Sequence, residues 1–422
     1  MLQYFQAVIG IVAFIAIAIA CSERRALPRW QLLVAGLALQ FLFAFLVFRI
    51  DLIQSALTII NSGVSAIVQA TEAGTLFVFG YLGGDPANVA YPFSVNDPGA
   101  TVVLAFRVLP LILIFTVLSA ILWYYRVLPI IIRAFSAVLT RGMGVGGAVG
   151  LSAAANIFIG MVESPALIRP YLTRLTRSEL FVVMSCGMAT IAGSVIVLYA
   201  VILEGIVTDP LGHIITASVI SAPAAIMLAL IMVPADQSTI EPVEPAQLPH
   251  TEYSSLMDAI TKGTSDGLKL TANVAAMLLV LVALVALLNS ALSLVPLPGG
   301  GVLSLEGIFA WVFAPLVWLM GIPWSETPAA ASLMGTKTAL NELLAFLALA
   351  DLPLDALSDK SRLIMTYALC GFANFGSLGI MIAGLTGMCP QRSREILQLA
   401  PRSLVSGTLA TCMTGAVAGL LF

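Results

Sequence analysis

The sequence predicts an all-α polytopic membrane protein. Of its 422 residues, 60% are hydrophobic and only 10% are charged, which leaves too few polar residues to cover a soluble domain. The mean hydropathy is +1.04, and apolar runs recur along the chain at about 20 residues, the length that crosses a bilayer as a helix. Together these observations favour a bundle of transmembrane helices.

Eight apolar runs are long enough to span a membrane. They lie near residues 4–21, 31–49, 102–124, 179–206, 212–233, 267–292, 361–384 and 403–422. The first run is not a typical signal peptide, because no basic residue precedes it and charged residues follow where a small-residue cleavage motif should be. We therefore predict eight transmembrane helices, the first run included.

The arginines orient these helices. Arginines follow the first and third runs and precede the fourth and eighth, whereas residues 51–105 contain no lysine or arginine. Because positively charged loops face the cytoplasm, we predict that the arginine-rich loops are cytoplasmic and that both termini lie outside. The acidic, proline-rich segment 234–253 falls on the cytoplasmic side and is predicted to be a flexible linker.

Three further segments do not fit as simple spans. Residues 52–70 combine helical apolar spacing with a polar face, which is typical of a helix in the membrane interface. Residues 143–175 and 304–350 are long enough to enter the membrane twice, but glycine, proline, asparagine and glutamate interrupt each of them. Such interruptions are tolerated only where the backbone is buried in protein or faces water. We predict two re-entrant hairpins, the first entering from the cytoplasm and the second from outside.

Each predicted hairpin is followed by a helix with a break and then by one more span. The breaks are "ATIAGSV" at 189–195 and "GFANFGSLG" at 371–379, so residues 143–233 and 304–422 have the pattern of two inverted copies. Inverted repeats with broken helices are typical of secondary transporters, whose sites lie near the middle of the membrane. The sequence therefore predicts a carrier of this kind.

Other functions remain as alternatives or are disfavoured. A proton-coupled carrier, in which Glu163 or Glu342 titrates, is the first alternative. An intramembrane enzyme using these carboxylates as acid and base and a channel are less favoured, because no nucleophile motif is present and a channel needs no inverted repeats. The net charge of -3 provides no basic surface for nucleic acid, and the sequence contains no phosphate-binding loop.

Several motifs resemble the signature regions of the concentrative nucleoside transporters, and the resemblance extends over essentially the whole chain. The motifs are "GTLFVFG" at 74–80, "FRVLP" at 106–110, "SAAANIFIGMVESPALIRP" at 152–170, "GMATIAGS" at 187–194, "GTKTALNELLAF" at 335–346 and "ALCGFANFGSLGIM" at 368–381. The chain is thus identified as similar to bacterial members of that family.

This resemblance implies a sodium-coupled symporter that moves nucleosides inward across the bacterial inner membrane by alternating access. It also implies a homotrimer, with a scaffold and a mobile transport domain in each protomer. Residues 1–142 and 234–303 would form the scaffold and the linker. Residues 143–233 and 304–422 would form the two repeats of the transport domain.

The resemblance also implies site residues. A ribose has hydroxyls that donate to a carboxylate, so Glu342 with its neighbours would bind the sugar, and Glu163 would meet the base. The implied substrate-binding residues are Gly160, Met161, Val162, Glu163, Val195, Asn341, Glu342, Phe372, Asn374 and Ser377. For sodium, a hard cation that prefers oxygen ligands, the implied ligands are the side chains of Asn156 and Thr190 and the backbone carbonyls of Ile159 and Ile191. No cofactor is implied.

One pair departs from the family pattern. Many members have two polar residues directly before the glutamate of the first hairpin, where this chain has Met161 and Val162. A site that lacks such donors loses discrimination between bases. The base preference therefore cannot be predicted, and adaptable packing is the other interpretation of Met161.

Overall fold

The computed structural model describes residues 2–25, 28–84, 89–95, 101, 103–235, 253–295 and 302–422. Within these residues the chain forms eighteen α-helices joined by turns and short 3₁₀ segments, which confirms the predicted all-α class. Most of the acidic segment predicted as a linker, residues 236–252, lies outside the described residues.

The first six helices precede the first hairpin. They are α1 (Leu2–Ala20), α2 (Trp30–Arg49), α3 (Asp51–Phe79), α4 (Leu104–Arg107), α5 (Pro110–Tyr124) and α6 (Val127–Met143). Helix α3 begins where the interfacial helix was predicted, at 52–70, but it continues to Phe79. It ends there because Gly80 adopts a positive φ of 60°, a conformation that glycine reaches without steric cost.

The next six helices contain the first hairpin, the first broken helix and the long sixth span. They are α7 (Gly147–Ile159), α8 (Glu163–Leu167), α9 (Arg177–Ala189), α10 (Gly193–Ile202), α11 (Pro210–Met232) and α12 (Leu256–Leu292). Helices α9, α10 and α11 are almost wholly buried, whereas α12 is mostly exposed. The first repeat is therefore part of the core, and α12 lies at the periphery.

The last six helices contain the second hairpin and its broken helix. They are α13 (Leu305–Leu319), α14 (Thr327–Ala339), α15 (Glu342–Asp351), α16 (Asp359–Leu369), α17 (Phe375–Met388) and α18 (Ser393–Leu421). Helix α18 packs against α1, α9, α11 and α16. It thereby holds the two repeats together.

Seven stretches of the described chain are helical, long and apolar enough to cross a membrane. They correspond to seven of the eight predicted runs. The remaining run, 361–384, is divided into α16 and α17 by a break, so neither half is long enough to span by itself.

Each hairpin is preceded by a helix, and the hydropathy pattern alone did not separate this helix from its surroundings. The region after Arg126 was treated as a loop, but it forms α6, which buries Leu128, Ile132 and Leu139 while Arg133 is exposed. This apolar stripe with charges opposite it is the pattern of an amphipathic helix. Likewise the predicted second hairpin, 304–350, contains α13 as a separate helix, and the hairpin itself is α14 with α15.

Three of the arginine-rich regions lie together at one end of the molecule: the loop after α1, the start of α9 and the first part of α18 with the turn before it. Glu23, just after α1, accepts a hydrogen bond from Arg177 at the start of α9 (2.8 Å between Nη2 and Oε1) and also pairs with Arg402 on α18. Arg392 donates to the carbonyl of Leu172 at 2.9 Å. The last residues of α1 and the first residues of α18 lie here, so the start of α1 and the final residues of α18 lie on the opposite side of the molecule. The assignment of the arginine end to the cytoplasm stays a prediction.

Candidate substrate and sodium site

The first helix break lies between α9 and α10. Thr190 has an extended backbone, with φ −113° and ψ 172°, and Ala192 is extended as well. The end of α7 packs directly on the break: a Cβ at Gly193 would lie only 2.4 Å from the carbonyl oxygen of Phe158. Glycine is therefore required there, and the first hairpin and the break form one tightly packed unit.

Asn156, in the last turn of α7, connects the hairpin to this break. Its Nδ2 donates to the Cys186 carbonyl at 2.7 Å and contacts the Thr190 hydroxyl at 2.6 Å. Its Oδ1 accepts from the Ser164 hydroxyl at 3.2 Å. Both Asn156 and Thr190 are buried, so this cluster of oxygen atoms is a neutral polar site inside the protein.

The tip of the first hairpin packs on two glycines. Gly160 has a φ of 102°, which L side chains rarely adopt. The Cβ of Met161 would lie 3.2 Å from a Cβ at Gly187, and Cγ1 of Val162 would lie 2.9 Å from one at Gly384. Met161 therefore packs on α9, and Val162 packs on α17. Neither side chain carries a hydrogen-bond donor.

Glu163 begins α8 and faces a cavity of about 510 Å³, a volume in the usual range for small-molecule sites. The cavity lies between the first hairpin, α5, α10 and α12. Polar groups on its far wall come from α5 and α12, and they include Thr116, Asp266 and Asn273. Glu342 is not among the described residues that line this cavity.

Glu342 is the buried carboxylate of the second hairpin. It is the first residue of α15, directly after Asn341, whose side chain caps that helix by accepting from the Leu344 N–H. Its Oε1 accepts from the Tyr199 hydroxyl at 2.7 Å, and its Oε2 accepts from Asn374 Nδ2 at 2.8 Å. Each carboxylate oxygen has a second lone pair, so both can accept further donors.

The second helix break contains Phe372 and Asn374. Asn374 caps α17 by accepting from the Ser377 N–H at 2.7 Å, which fixes its amide toward Glu342. The Phe372 N–H donates to the Thr190 carbonyl at 3.2 Å. The two breaks are therefore joined by a backbone hydrogen bond. Each hairpin contacts one of these two joined breaks.

Lys337 is completely buried in α14. Its Nζ donates to the Ala368 carbonyl at 2.8 Å and to the Thr411 hydroxyl at 3.1 Å. Its ammonium therefore lies inside the protein and does not reach the membrane surface. Lys269, by contrast, lies on α12 and pairs with Asp266 at 3.5 Å in an exposed position.

The structure brings the site residues together in two groups. Among the implied sodium ligands, Asn156 and Thr190 are in contact, and Ile159 and Ile191 are their neighbours in the hairpin and the break. Among the implied substrate residues, Glu342, Asn374 and Ser377 form one cluster, whereas Glu163 lies on the other hairpin. Phe372 is half-buried in the second break, and Val195 is buried on α10.

Sequence reasoning missed Tyr199. The residue lies within an apolar stretch of α10, one turn after Val195, and its ring stacks on Phe346 with centroids 4.7 Å apart. The available signal was the hydroxyl itself, since a buried tyrosine usually finds a hydrogen-bond partner. The identity of that partner, Glu342, depends on a contact between the two repeats and is not visible in the local sequence.

Two hairpins that meet two broken helices, with polar groups concentrated at the junctions, define a secondary transporter. The comparisons with known proteins agree. Residues 9–82 match the family described as "Na+ dependent nucleoside transporter N-terminus", residues 213–419 match its C-terminus, and residues 105–205 match "Gate: Nucleoside recognition". The chain belongs to the Na+ dependent nucleoside transporter family, and the predicted resemblance is confirmed.

Relatives cover the chain almost from end to end. An uncharacterized transporter of Haemophilus influenzae is 36% identical over 99% of this chain and 98% of its own length. Sodium/nucleoside cotransporter 2 of Rattus norvegicus is 35% identical over 98% of this chain, which spans 62% of the rat protein. These proteins are transporters and not enzymes, as the sequence predicted for this chain.

Solved structures of the transporter CNTnw have the same fold in several states. An inward-facing substrate-bound structure is 34% identical, covers 99% of this chain and 97% of its own, and has a TM-score of 0.87. An outward-facing structure also has a TM-score of 0.87, and an intermediate one has 0.85. A family that is observed in outward, intermediate and inward states works by alternating access.

Proposed function

We propose that this chain imports nucleosides together with sodium, with the ion held in the first repeat and the sugar held in the second. One observation carries the proposal: each hairpin binds the helix break that follows it, through Asn156 to Thr190 in the first repeat and through Glu342 to Asn374 in the second. A ligand at either junction would therefore be contacted by a hairpin and a broken helix together.

The sodium site would consist of the side-chain oxygens of Asn156 and Thr190 and the carbonyl oxygens of Ile159 and Ile191. The oxygen and nitrogen of an amide exchange places on rotation, so Asn156 can turn Oδ1 toward a cation while its nitrogen faces the Ser164 hydroxyl. Unwound backbone at a helix break supplies carbonyls for ions in such carriers. A set of uncharged oxygens suits a monovalent cation, because the oxygens replace the water around the ion without holding it by an opposite charge.

The nucleoside would bind with its ribose at Glu342, Asn374 and Ser377. The two carboxylate oxygens are held in place by Tyr199 and Asn374 and keep lone pairs for the sugar hydroxyls, with which they form strong charge-assisted bonds. Glu163 would meet the base from the first hairpin. The remaining contacts would come from Gly160, Met161, Val162, Val195, Asn341 and Phe372.

The mostly exposed α12 and the first six helices would form the scaffold, residues 1–142 and 234–303, of a homotrimer in the inner membrane of a bacterium. The two repeats, 143–233 and 304–422, would move against it as the transport domain, with both termini outside. The separation of the buried repeats from the peripheral α12 supports this division, since a body that moves as a unit needs a core of its own.

Uptake into proteoliposomes tests the proposal. Labelled uridine should accumulate in a sodium gradient and not when choline replaces sodium at constant pH, and preloaded unlabelled uridine should produce counterflow, which a channel does not. The comparisons name sodium, which disfavours the proton-coupled alternative. Accumulation in choline driven by a pH gradient would overturn the sodium assignment.

A further inference from the structure

Helix α12 carries a stripe of polar side chains in its first half. A spacing of three or four residues places its members on one side of a helix. They are Asp258, Lys262, Asp266, Lys269 and Asn273. The inner three, from Asp266 onward, line the cavity that Glu163 faces, and the rest of α12 contains no charged residue. The charges on this helix therefore end at the cavity.

Two glycines hold the stripe in a fixed position. A Cβ at Gly263 would lie 3.0 Å from the Cα of Val117, and one at Gly267 would lie 3.0 Å from the Cα of Leu113. A side chain at either position would crowd α5, so α12 approaches α5 closely where it has glycine. The stripe therefore projects from a tightly packed pair of helices.

The inner charged pair is open to a ligand. Lys269 Nζ lies 3.5 Å from Asp266 Oδ1, and the two side chains are 71% and 63% exposed. Exposed ion pairs are weakly held, so a ligand can replace either partner. The outer pair differs, because Asp258 lies 3.0 Å from Lys262 and also accepts from the Ser254 N–H at 2.9 Å. Neither member of the outer pair is among the described residues that line the cavity.

The hairpin side of the cavity lacks side-chain donors. Its lining residues are apolar except for one carboxylate, which accepts hydrogen bonds when ionised. They are Phe158, Ile159, Glu163, Ala166 and Leu167. Donors are present on the opposite wall, where Lys269 has an ammonium and Asn273 has an amide. A ligand that carries acceptors as well as donors would therefore be oriented by α12.

The inner three side chains have the chemistry that recognises bases. Elsewhere, aspartate accepts from the amino group of cytosine, lysine donates to the acceptors of guanine, and asparagine forms two bonds with adenine. Asp266, Lys269 and Asn273 present these three groups within two turns of one helix. Such a set can bind any base through a different combination of contacts.

The cavity lies on the side predicted to be cytoplasmic. Its wall includes Trp123 and Leu128, which flank Arg126 after the third predicted span, and Tyr253, the last residue of the acidic segment. A solute that leaves Glu163 toward the cytoplasm would therefore pass the inner end of the stripe.

We propose that Asp266, Lys269 and Asn273 form a second binding site for the base, which holds the nucleoside between the transport site and the cytoplasm. The inference rests on the proposed function, since it concerns the same substrate. Because α12 belongs to the proposed scaffold, this site stays in place while the repeats move. It would discriminate between bases, whereas Glu342 binds the ribose that nucleosides share.

Membrane vesicles of the two orientations test this site. Asp266→Ala with Lys269→Ala removes both charged groups and keeps the net charge. The half-saturating uridine concentration at the cytoplasmic face should rise about tenfold, as expected for the loss of roughly one good contact to a base. The value at the external face should not change. An unchanged cytoplasmic value, or an equal rise at both faces, would overturn the inference.

The outer pair provides the matched control. Asp258→Ala with Lys262→Ala makes the same change on the same stripe outside the cavity and should behave as wild type at both faces. If wild-type vesicles transported no nucleoside, the proposed function itself would fail. If they transported uridine and the inner double variant did so with unchanged values, only this inference would fail.

A single variant tests whether the site reads the base. Asp266→Ala removes the acceptor for an amino group, so the cytoplasmic half-saturating concentrations of cytidine and adenosine should rise more than those of uridine and inosine, which lack that group. A structural role for Asp266 would change all four values alike. That uniform change would overturn the inference.

Discussion

The two repeats share one architecture but differ in the chemistry where the hairpin meets the broken helix. In the first repeat the neutral amide of Asn156 contacts the Thr190 hydroxyl. In the second repeat the buried Lys337 contacts the end of α16, and the buried Glu342 contacts the break. The connections behind the tips are alike. Arg392 donates to carbonyls of the loop after the first hairpin, and the buried Arg362 donates to the carbonyls of Leu352 and Pro353 in the loop after the second.

This comparison teaches that the fold can be duplicated while the sites are specialised. The guanidinium groups satisfy carbonyls that hairpin connections leave unpaired, so both hairpins are held rigidly at their bases. The junctions with the broken helices differ in charge. The neutral amide of Asn156 suits an ion that must leave again, and the carboxylate of Glu342 suits hydroxyl groups that donate hydrogen bonds.

The largest expected effect comes from the charged tip. Glu342→Gln should abolish nearly all nucleoside transport, because truncating one partner of a buried charged network typically costs about 2 to 5 kcal/mol, or roughly thirtyfold or more in affinity. Uridine binding and uptake measure this loss. Glu204→Gln, in the exposed turn after α10, is the matched control and should behave as wild type; equal activity of the two variants would contradict the assignment.

A smaller effect should follow from removing one support of that carboxylate. Tyr199→Phe keeps the stacking on Phe346 but loses the hydrogen bond to Glu342. A bond to a charged group contributes about 1.5 to 3 kcal/mol, so the uridine KM should rise about tenfold or more with the sodium dependence unchanged. Tyr124→Phe, at the end of α5, should leave the KM as it is. An unchanged KM in Tyr199→Phe would mean that Glu342 does not need this donor.

The tip of the first hairpin gives a test of selectivity. Met161→Gln with Val162→Thr adds donors and acceptors before Glu163, and we expect it to change the ranking of bases by about 1 to 3 kcal/mol. Inhibition of labelled uridine uptake by adenosine, guanosine, cytidine and inosine measures the ranking. An unchanged order would mean that the contacts with Gly187 and Gly384 are purely packing contacts.

The smallest effect concerns the arginine end, where both repeats are tied to the loop after α1. A hydrogen bond from Arg177 holds the pKa of Glu23 below its ordinary value of 4.5. Its ion pairs therefore add stability above that pH and lose it as the pH falls through the folded-state pKa. The melting temperatures of wild type and Glu23→Gln should differ most near neutral pH and converge below 4.5. A difference that persists in acid would exclude this ionic cause.

The sequence predicted the elements that depend on hydropathy and local breaks. Seven predicted runs recur as long apolar stretches, one of them interrupted at the predicted "ATIAGSV", and the run 361–384 is divided at the predicted "GFANFGSLG". Helices α6 and α13 were not separated from their surroundings because a window of hydropathy does not register an amphipathic stripe. The domain boundaries, the trimer and the orientation of the termini stay predictions.

The site residues were predicted from the motifs that resemble the family. Glu342 and Asn374 came from the second hairpin and the second broken helix in this way, and the structure joins them by a hydrogen bond. The contacts of Tyr199 and Lys337 cross between helices that are distant in the chain, so no local pattern indicates them. The packing of Met161 and Val162 likewise depends on glycines of two other helices.

The central claim is that the junction of Asn156 with the first helix break binds the coupling ion, and the double variant Asn156→Ala with Thr190→Ala tests it most directly. It removes two side-chain oxygens from a small coordination shell without changing any charge. Sodium titrations of uridine uptake are compared with those of Thr386→Ala, whose hydroxyl bonds only within α17. The account predicts that the double variant loses sodium-dependent accumulation while the control keeps it. Full sodium-dependent accumulation by a folded double variant would contradict the account.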